Sequence, residues 1–183
     1  MKTVRTHILI ALGFLSLLLL SGCQPIRADA QRPMTTEEMN LAIVQRFYDE
    51  FSKGNTDVIL DVHPETLRMH YAGESEDVPT QILRDDLDAI KKANPDLRAE
   101  IHSMIARDDM VFTELTWTAT HTGDFFGIPA TEETVQHNGI VVRRLEGGKI
   151  VESWEMWDDL VLLQSIGYLP TWDDLVASPP ADD

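Results

Sequence analysis

Residues Ile140 to Asp159 read IVVRRLEGGKIVESWEMWDD, two runs of β-branched and aromatic residues on either side of Glu146-Gly147-Gly148. A Gly-Gly pair accepts the positive φ values that a two-residue hairpin turn demands. The segment therefore predicts one strand from Thr134 to Leu145 and an antiparallel partner from Lys149 to Trp157. Upstream, Met110 to Thr122 is a third run of strand-forming residues, entered through the turn Asp108-Asp109. Before it the period is two: Leu97, Ala99, Ile101, Ser103 and Ile105 alternate with Arg98, Glu100, His102 and Met104, as in a half-buried strand.

Further toward the N-terminus the period becomes helical. Thr35-Thr36-Glu37-Glu38 offers a capping box, and Leu41, Val44, Tyr48 and Phe51 then fall on one helical face until Gly54-Asn55. A short helix from Thr56 to Val62, an extended piece from Leu67 to Tyr71, and a third helix capped by Thr80 with Leu83, Leu87 and Ile90 on one face complete the order. Helices segregated from a mostly antiparallel sheet define an α+β domain, and a curved sheet of this kind can enclose a pocket against its helices. The pentapeptide WDDLV occurs at Trp157 and again at Trp172. It is too short for an architectural repeat. The second copy reads as a short amphipathic segment that packs on the domain with Asp173 and Asp174 solvated.

The start of the chain bears on location. Lys2 and Arg5 precede an uncharged run from Ile8 to Leu20, shorter than the roughly 20 residues a bilayer core requires. It ends in Leu20-Ser21-Gly22-Cys23, which resembles a bacterial lipobox, and Cys23 is the only cysteine. Residues 1–22 are thus expected to be a lipoprotein signal peptide, with Cys23 lipidated and 23–34 a tether. Read otherwise, this is an apolar segment with an incidental cysteine. The domain would span 35–177, and 178–183 would be a frayed tail. Acyl chains contribute about 0.8 kcal/mol per buried CH₂, enough for a firm membrane anchor. Gln24 after the cysteine suggests the outer membrane in a Gram-negative host. The formal charge is −16, and losing Lys2 and Arg5 makes it −18, which disfavours nucleic acid and anionic head groups as partners.

Several chemistries lack their residues. The six histidines are scattered with no His-x-His or His-x-x-x-His pair, so no metal site is expected, and there is neither a Gly-x-Ser-x-Gly elbow nor a glycine-rich phosphate loop. Acid/base chemistry or simple binding remains. Strict alternation along the last strand places Ile150, Glu152, Trp154, Met156 and Asp158 on one face. A carboxyl beyond apolar Trp154 and Met156 would have its pKa raised into the range useful for proton transfer. Alternatively, Asp158 caps the next helix, with Asp159 favouring the helix N-terminus. Trp117 and His121 share a face of the strand from Met110, His70 follows the first short strand, and of His137 and Asn138 only one can enter a cavity. The site reading takes Asp158 and His121 as catalytic, and Trp117, Trp154, Met156, His70 and Asn138 as substrate-binding.

The segments NLAIVQRFYDEF (Asn40 to Phe51), NPDLRAEI (Asn94 to Ile101), THTGDFFGIPAT (Thr120 to Thr131) and RRLEGGKIVESWEMWDDLVLLQSIG (Arg143 to Gly167) resemble the SnoaL-like polyketide cyclases, or ester cyclases, of the NTF2-like superfamily. The resemblance covers about Met39 to Gly167. It implies an NTF2-like cone, a curved sheet with three helices around a deep apolar pocket, frequently a homodimer through the sheet. It also implies cofactor-free catalysis, in which an aspartate at the end of the last long strand is the general acid/base for an aldol closure; Asp158 occupies that place in the WxxWD pattern. The loop Gly127 to Glu132, GIPATE, departs from the common GIPPTG at the cavity mouth. Two functions follow: a cyclase, isomerase or lyase acting on a small hydrophobic carbonyl compound at the cell envelope, with a hydrolase variant close in chemistry, or a non-catalytic lipoprotein that binds a hydrophobic ligand or a protein partner.

Overall fold

A computed structural model describes residues 32–177; the expected signal segment, Cys23 and Ser178 to Asp183 lie outside these residues. Two helices come first, α1 (Thr36–Ser52) and α2 (Val58–Val62), followed by the hairpin β1 (Thr66–Tyr71) and β2 (Glu74–Pro79). Then come α3 (Thr80–Ala93), four strands β3 (Arg98–Arg107), β4 (Met110–Thr120), β5 (Thr134–Glu146) and β6 (Lys149–Trp157), and the short helices α4 (Asp159–Ser165) and α5 (Trp172–Ala177). The strands form one curved sheet in the order β2-β1-β6-β5-β4-β3, antiparallel except where β1 runs parallel to β6. No helix among the described residues is long and apolar enough to cross a membrane.

The two tight hairpins have the same cause. Ala72 and Gly73 (φ 52° and 85°) and Gly147 and Gly148 (φ 56° and 78°) both place two positive-φ residues between paired strands. That turn matches the right-handed strand twist. β2, with the sequence ESEDVP, was not expected. Its side chains are almost all solvated, so no apolar period marks it, and it exists as an edge strand on β1.

Helix α1 follows its sequence pattern. Thr35 Oγ1 accepts from the Glu38 amide at 3.2 Å, and Glu38 Oε2 accepts from the Thr35 amide at 2.9 Å. Val44, Phe47, Tyr48 and Phe51 are buried against the sheet. Removing the cap with Thr35→Ala is expected to lower stability by about 1 kcal/mol, measured as a shift in the denaturant midpoint at unchanged m.

Two β-bulges correct the expected faces. In the β5/β6 ladder Leu145 pairs with Ile150 but Arg144 pairs with Glu152, so Val151 is passed over. Each residue beyond it changes face. Ser153, Glu155 and Trp157 point inward, whereas Glu152, Trp154 and Met156 point outward, and the expected inward row ending at Asp158 does not form. In β3/β4 the register jumps between Ile101 and Ser103, past His102, so Met104 and Ala106 pack inward while Ile105 is 62% exposed. Two smaller expectations also change. Thr80 is buried and donates to the Pro64 carbonyl at 2.5 Å rather than capping α3, and Trp172 of α5 is 73% exposed, so the second WDDLV does not pack through its indole.

Candidate functional site

Between the concave face of the sheet and the helices lies a cavity of about 670 Å³. Phe47, Tyr48 and Phe51 of α1 form one wall, Leu83, Leu87 and Ile90 of α3 another, and Trp117 of β4 and Val135 of β5 the floor. Leu162 of α4, Ile166 just after it and Phe125 from the β4–β5 loop line the remaining side. A predominantly apolar chamber with few polar groups is the form a small-molecule site takes.

Tyr71, His137, Glu155 and Asp159, four of the polar groups that line this chamber, come together at the end of β6. Asp159, the first residue of α4, lines the cavity and bridges two neighbours: its Oδ1 accepts from His137 Nε2 at 3.0 Å, and its Oδ2 accepts from the Tyr71 hydroxyl at 2.5 Å. Tyr71 ends β1 and is paired in parallel with Glu155, and His137 lies opposite Trp117 on β5. Burial holds His137 below its ordinary pKa even though Asp159 pulls the other way, so the ring is neutral at pH 7. With Nε2–H on Asp159, the neutral ring carries its lone pair on Nδ1. Burial is also the main reason the Tyr71 phenol is pushed up to about 12, with the hydrogen bond and charge of Asp159 second. It stays protonated throughout the neutral range.

Trp157 secures this cluster. Its ring lies 5.0 Å from the His137 ring at 33°, and its Nε1 donates to Glu155 Oε2 at 3.0 Å, while Ser153 Oγ donates to Glu155 Oε1 at 3.0 Å. The indole fits because its strand partner is Gly139: a Cβ there would overlap the six-membered ring. Gly139→Ala is therefore expected to destabilise the protein by about 1–3 kcal/mol and to loosen the His137–Trp157 contact, checked by thermal unfolding and the ring-current shift of His137.

The residues singled out from the sequence divide into two groups. Trp117 and His121 line the cavity; His121 is fully buried, Nδ1 faces Thr131 Oγ1 at 3.0 Å, and Nε2 has no partner. The other five do not line it. Asp158 is solvent-exposed and caps α4, its Oδ1 accepting from the Val161 amide at 3.2 Å, which is the helix-cap alternative. Asn138 faces outward and accepts from Thr116 Oγ1 at 2.7 Å. His70 stacks on Trp154 with ring centroids 4.8 Å apart and reaches Glu152 at 2.8 Å, all on the outer face, and Met156 is exposed.

The sequence reading does not include Asp159, His137, Tyr71, Glu155 and the buried Arg143 among the site residues, although a face signal exists for three of them, Arg143, His137 and Tyr71. Counting back by two from Leu145 at the hairpin reaches His137, not Asn138, and the apolar row Leu67-Met69-Tyr71 turns His70 away. Nothing in the sequence marks the skipped Val151 that brings Glu155 inward.

A curved α+β cone with an apolar interior and a His–Asp–Tyr cluster on its wall defines a class of small-molecule pocket rather than one reaction. The model of the SnoaL-like polyketide cyclase family matches residues 42–166, and the chain belongs to that family. Among solved structures it is similar to AclR, a candidate hydroxylase from Streptomyces galilaeus, at 26% identity and TM-score 0.65 over 72% of this chain and 97% of that one. A candidate SnoaL-like polyketide cyclase from Jannaschia sp. CCS1 shares the fold at 19% identity and TM-score 0.66 over 76% and 99% of the two chains. So does an LEH-like epoxide hydrolase of M. tuberculosis, at 17% identity and TM-score 0.58 over 78% and 96%. A search of curated proteins finds no match.

Proposed function

We propose that the protein is a cofactor-independent acid/base catalyst acting on a small hydrophobic carbonyl compound, in the manner of a cyclase, isomerase or lyase. The observation that carries this reading is Asp159 joined to both His137 and Tyr71 on the wall of an apolar cavity. Asp159 holds the imidazole in the tautomer that leaves Nδ1 basic and stabilises the imidazolium after it takes a proton, the orienting role of a carboxylate behind a histidine base. The aspartate assigned to the end of the last strand is then Asp159, one residue beyond Asp158. Trp117 and the α1 aromatics hold the ligand's apolar body, and His121 offers a second polar contact.

The test is α-proton exchange in D₂O of a panel of one- to three-ring ketones and β-keto esters, followed by NMR. Exchange well above the buffer rate, lost in His137→Asn, is expected. A panel that binds but never exchanges faster than in buffer contradicts catalysis and leaves a carrier.

The proposal includes location and assembly. The sequence Leu20 to Cys23 supports lipidation at the cell envelope; labelled palmitate should enter the wild type and not Cys23→Ser. Exposed Ile105, Phe112, Ile140 and Met156 form an apolar stripe on the outer sheet face, with Ile105 opposite Phe112 and Ile140 opposite Met156. Such a stripe supports a homodimer through that face. Light scattering should give a dimer mass for the wild type and a monomer for Ile140→Glu; a monomeric wild type at about 100 µM, a concentration at which even micromolar dimers form, removes this part.

A further inference from the structure

Arg143 of β5 turns into the cavity and is only 5% exposed. Its Nη1 donates to the Tyr48 hydroxyl, and its Cζ stands 5.1 Å from the Phe47 ring centroid and 4.9 Å from that of Tyr48. Nε is sealed from solvent and has no partner. Among the described residues no carboxylate forms an ion pair with this guanidinium. The adjacent Arg144, on the outer face, is instead paired with Glu152 at 3.0 Å and Asp109 at 3.4 Å.

A guanidinium cannot shed its proton at any ordinary pH, so this residue carries a full charge into an apolar wall. Aromatic faces offset part of that loss of hydration, but they accept no N–H bond in the plane of the fork. A buried charge without a counter-ion is costly, and an anion in the cavity would offset that cost at the part of the guanidinium that lines it. Phe47 and Tyr48, which flank the guanidinium, and Phe51, stacked on Phe47 at 9°, also form an aromatic wall of the cavity against which a ring would pack.

We propose that Arg143 is an anion-recognition site, and that the ligand of this cavity is an apolar, ring-bearing molecule with one carboxylate. The guanidinium fork binds the carboxylate, and Phe47, Tyr48 and Phe51 flank the ring. This deepens the acid/base reading by naming its substrate class. His137 lies on the same inward row of β5, six residues away, which is about 20 Å between Cα atoms along an extended strand. A ligand anchored by its carboxylate therefore presents its far end, and not the carbon beside the carboxylate, to the histidine.

The experiment is calorimetric titration at pH 7 with 2-naphthoate and its uncharged analogue 2-naphthamide. The wild type is expected to bind naphthoate at least tenfold more tightly than the amide. Arg143→Gln should bring the two within about twofold by weakening naphthoate alone, and Arg143→Lys should keep part of the preference. Thermal unfolding checks that each variant is folded. Should Arg143→Gln not fold, the wild-type comparison and Arg143→Lys still decide. Equal or weaker wild-type binding of naphthoate, or no binding of either probe, overturns the proposal. Because the readout is binding, His137→Asn should retain the preference while losing proton exchange, so failure of the anion site and failure of the acid/base reading are separate results.

Discussion

Asp159→Asn is expected to lower the rate of α-proton exchange by about 10²- to 10⁴-fold, the usual contribution of a positioned acid/base system. The amide keeps the shape of the carboxylate and can still accept from Tyr71, so the fold should survive. What it loses is the charge that fixes the Nε2–H tautomer of His137 and stabilises the imidazolium. A substrate-free signature accompanies the loss. The Tyr71 phenol should titrate lower than about 12 but still above its ordinary value, because burial, the first cause of its shift, remains. Asp158→Asn is the control. Asparagine caps a helix about as well as aspartate, so stability should change by no more than a few tenths of a kcal/mol and exchange should be nearly unaffected. The opposite ranking of the two variants would place the chemistry on Asp158.

Acid should weaken the fold through His63 by an amount large for one residue. This ring sits 5% exposed at the end of α2, and its Nδ1 donates to the Ile59 carbonyl at 2.9 Å. Burial drives its pKa from 6.5 to about 4, with the positive charge of Arg143 acting in the same direction and the Ile59 bond opposing. The folded state thus binds fewer protons than the unfolded chain between these two values. Stability rises with pH across that window; it is fully present above about 6.5 and lost as pH falls toward 4. The full shift corresponds to about 3 kcal/mol, of which about 2 should disappear between pH 7 and 4.5. His63→Asn abolishes this component. Urea titrations at the two pH values should show the wild type losing about 2 kcal/mol more than the variant. Equal losses would mean that His63 protonates freely in the folded protein.

Much of the architecture was legible because its determinants are local. Thr35 and Glu38 sit three apart and cap α1, and the heptad-like spacing of Val44, Tyr48 and Phe51 fixes which face is buried. Gly147-Gly148 sets the β5/β6 turn, and the alternation of β4 runs unbroken from Val111 to Ala119. The failures come from bulges. A period of two, once counted past Val151 or His102, sends every later side chain to the wrong face, and valine or histidine in a strand carries no mark of a bulge. Trp154, Met156 and Asp158 were misplaced for that single reason. β2 escaped notice because an edge strand of acidic residues buries almost nothing. Arg143 was passed over because a charge in an apolar wall contradicts the binary pattern; departures of that kind collect where a protein binds something.

The most direct measurement is the NMR pH titration of the His137 ring in the wild type, Asp158→Asn and Asp159→Asn. Burial against Asp159 requires a wild-type pKa below 6.5, a further drop in Asp159→Asn, and a smaller one in Asp158→Asn. A His137 ring that titrates near 6.5 and ignores Asp159→Asn would contradict the cavity-wall cluster on which the function rests.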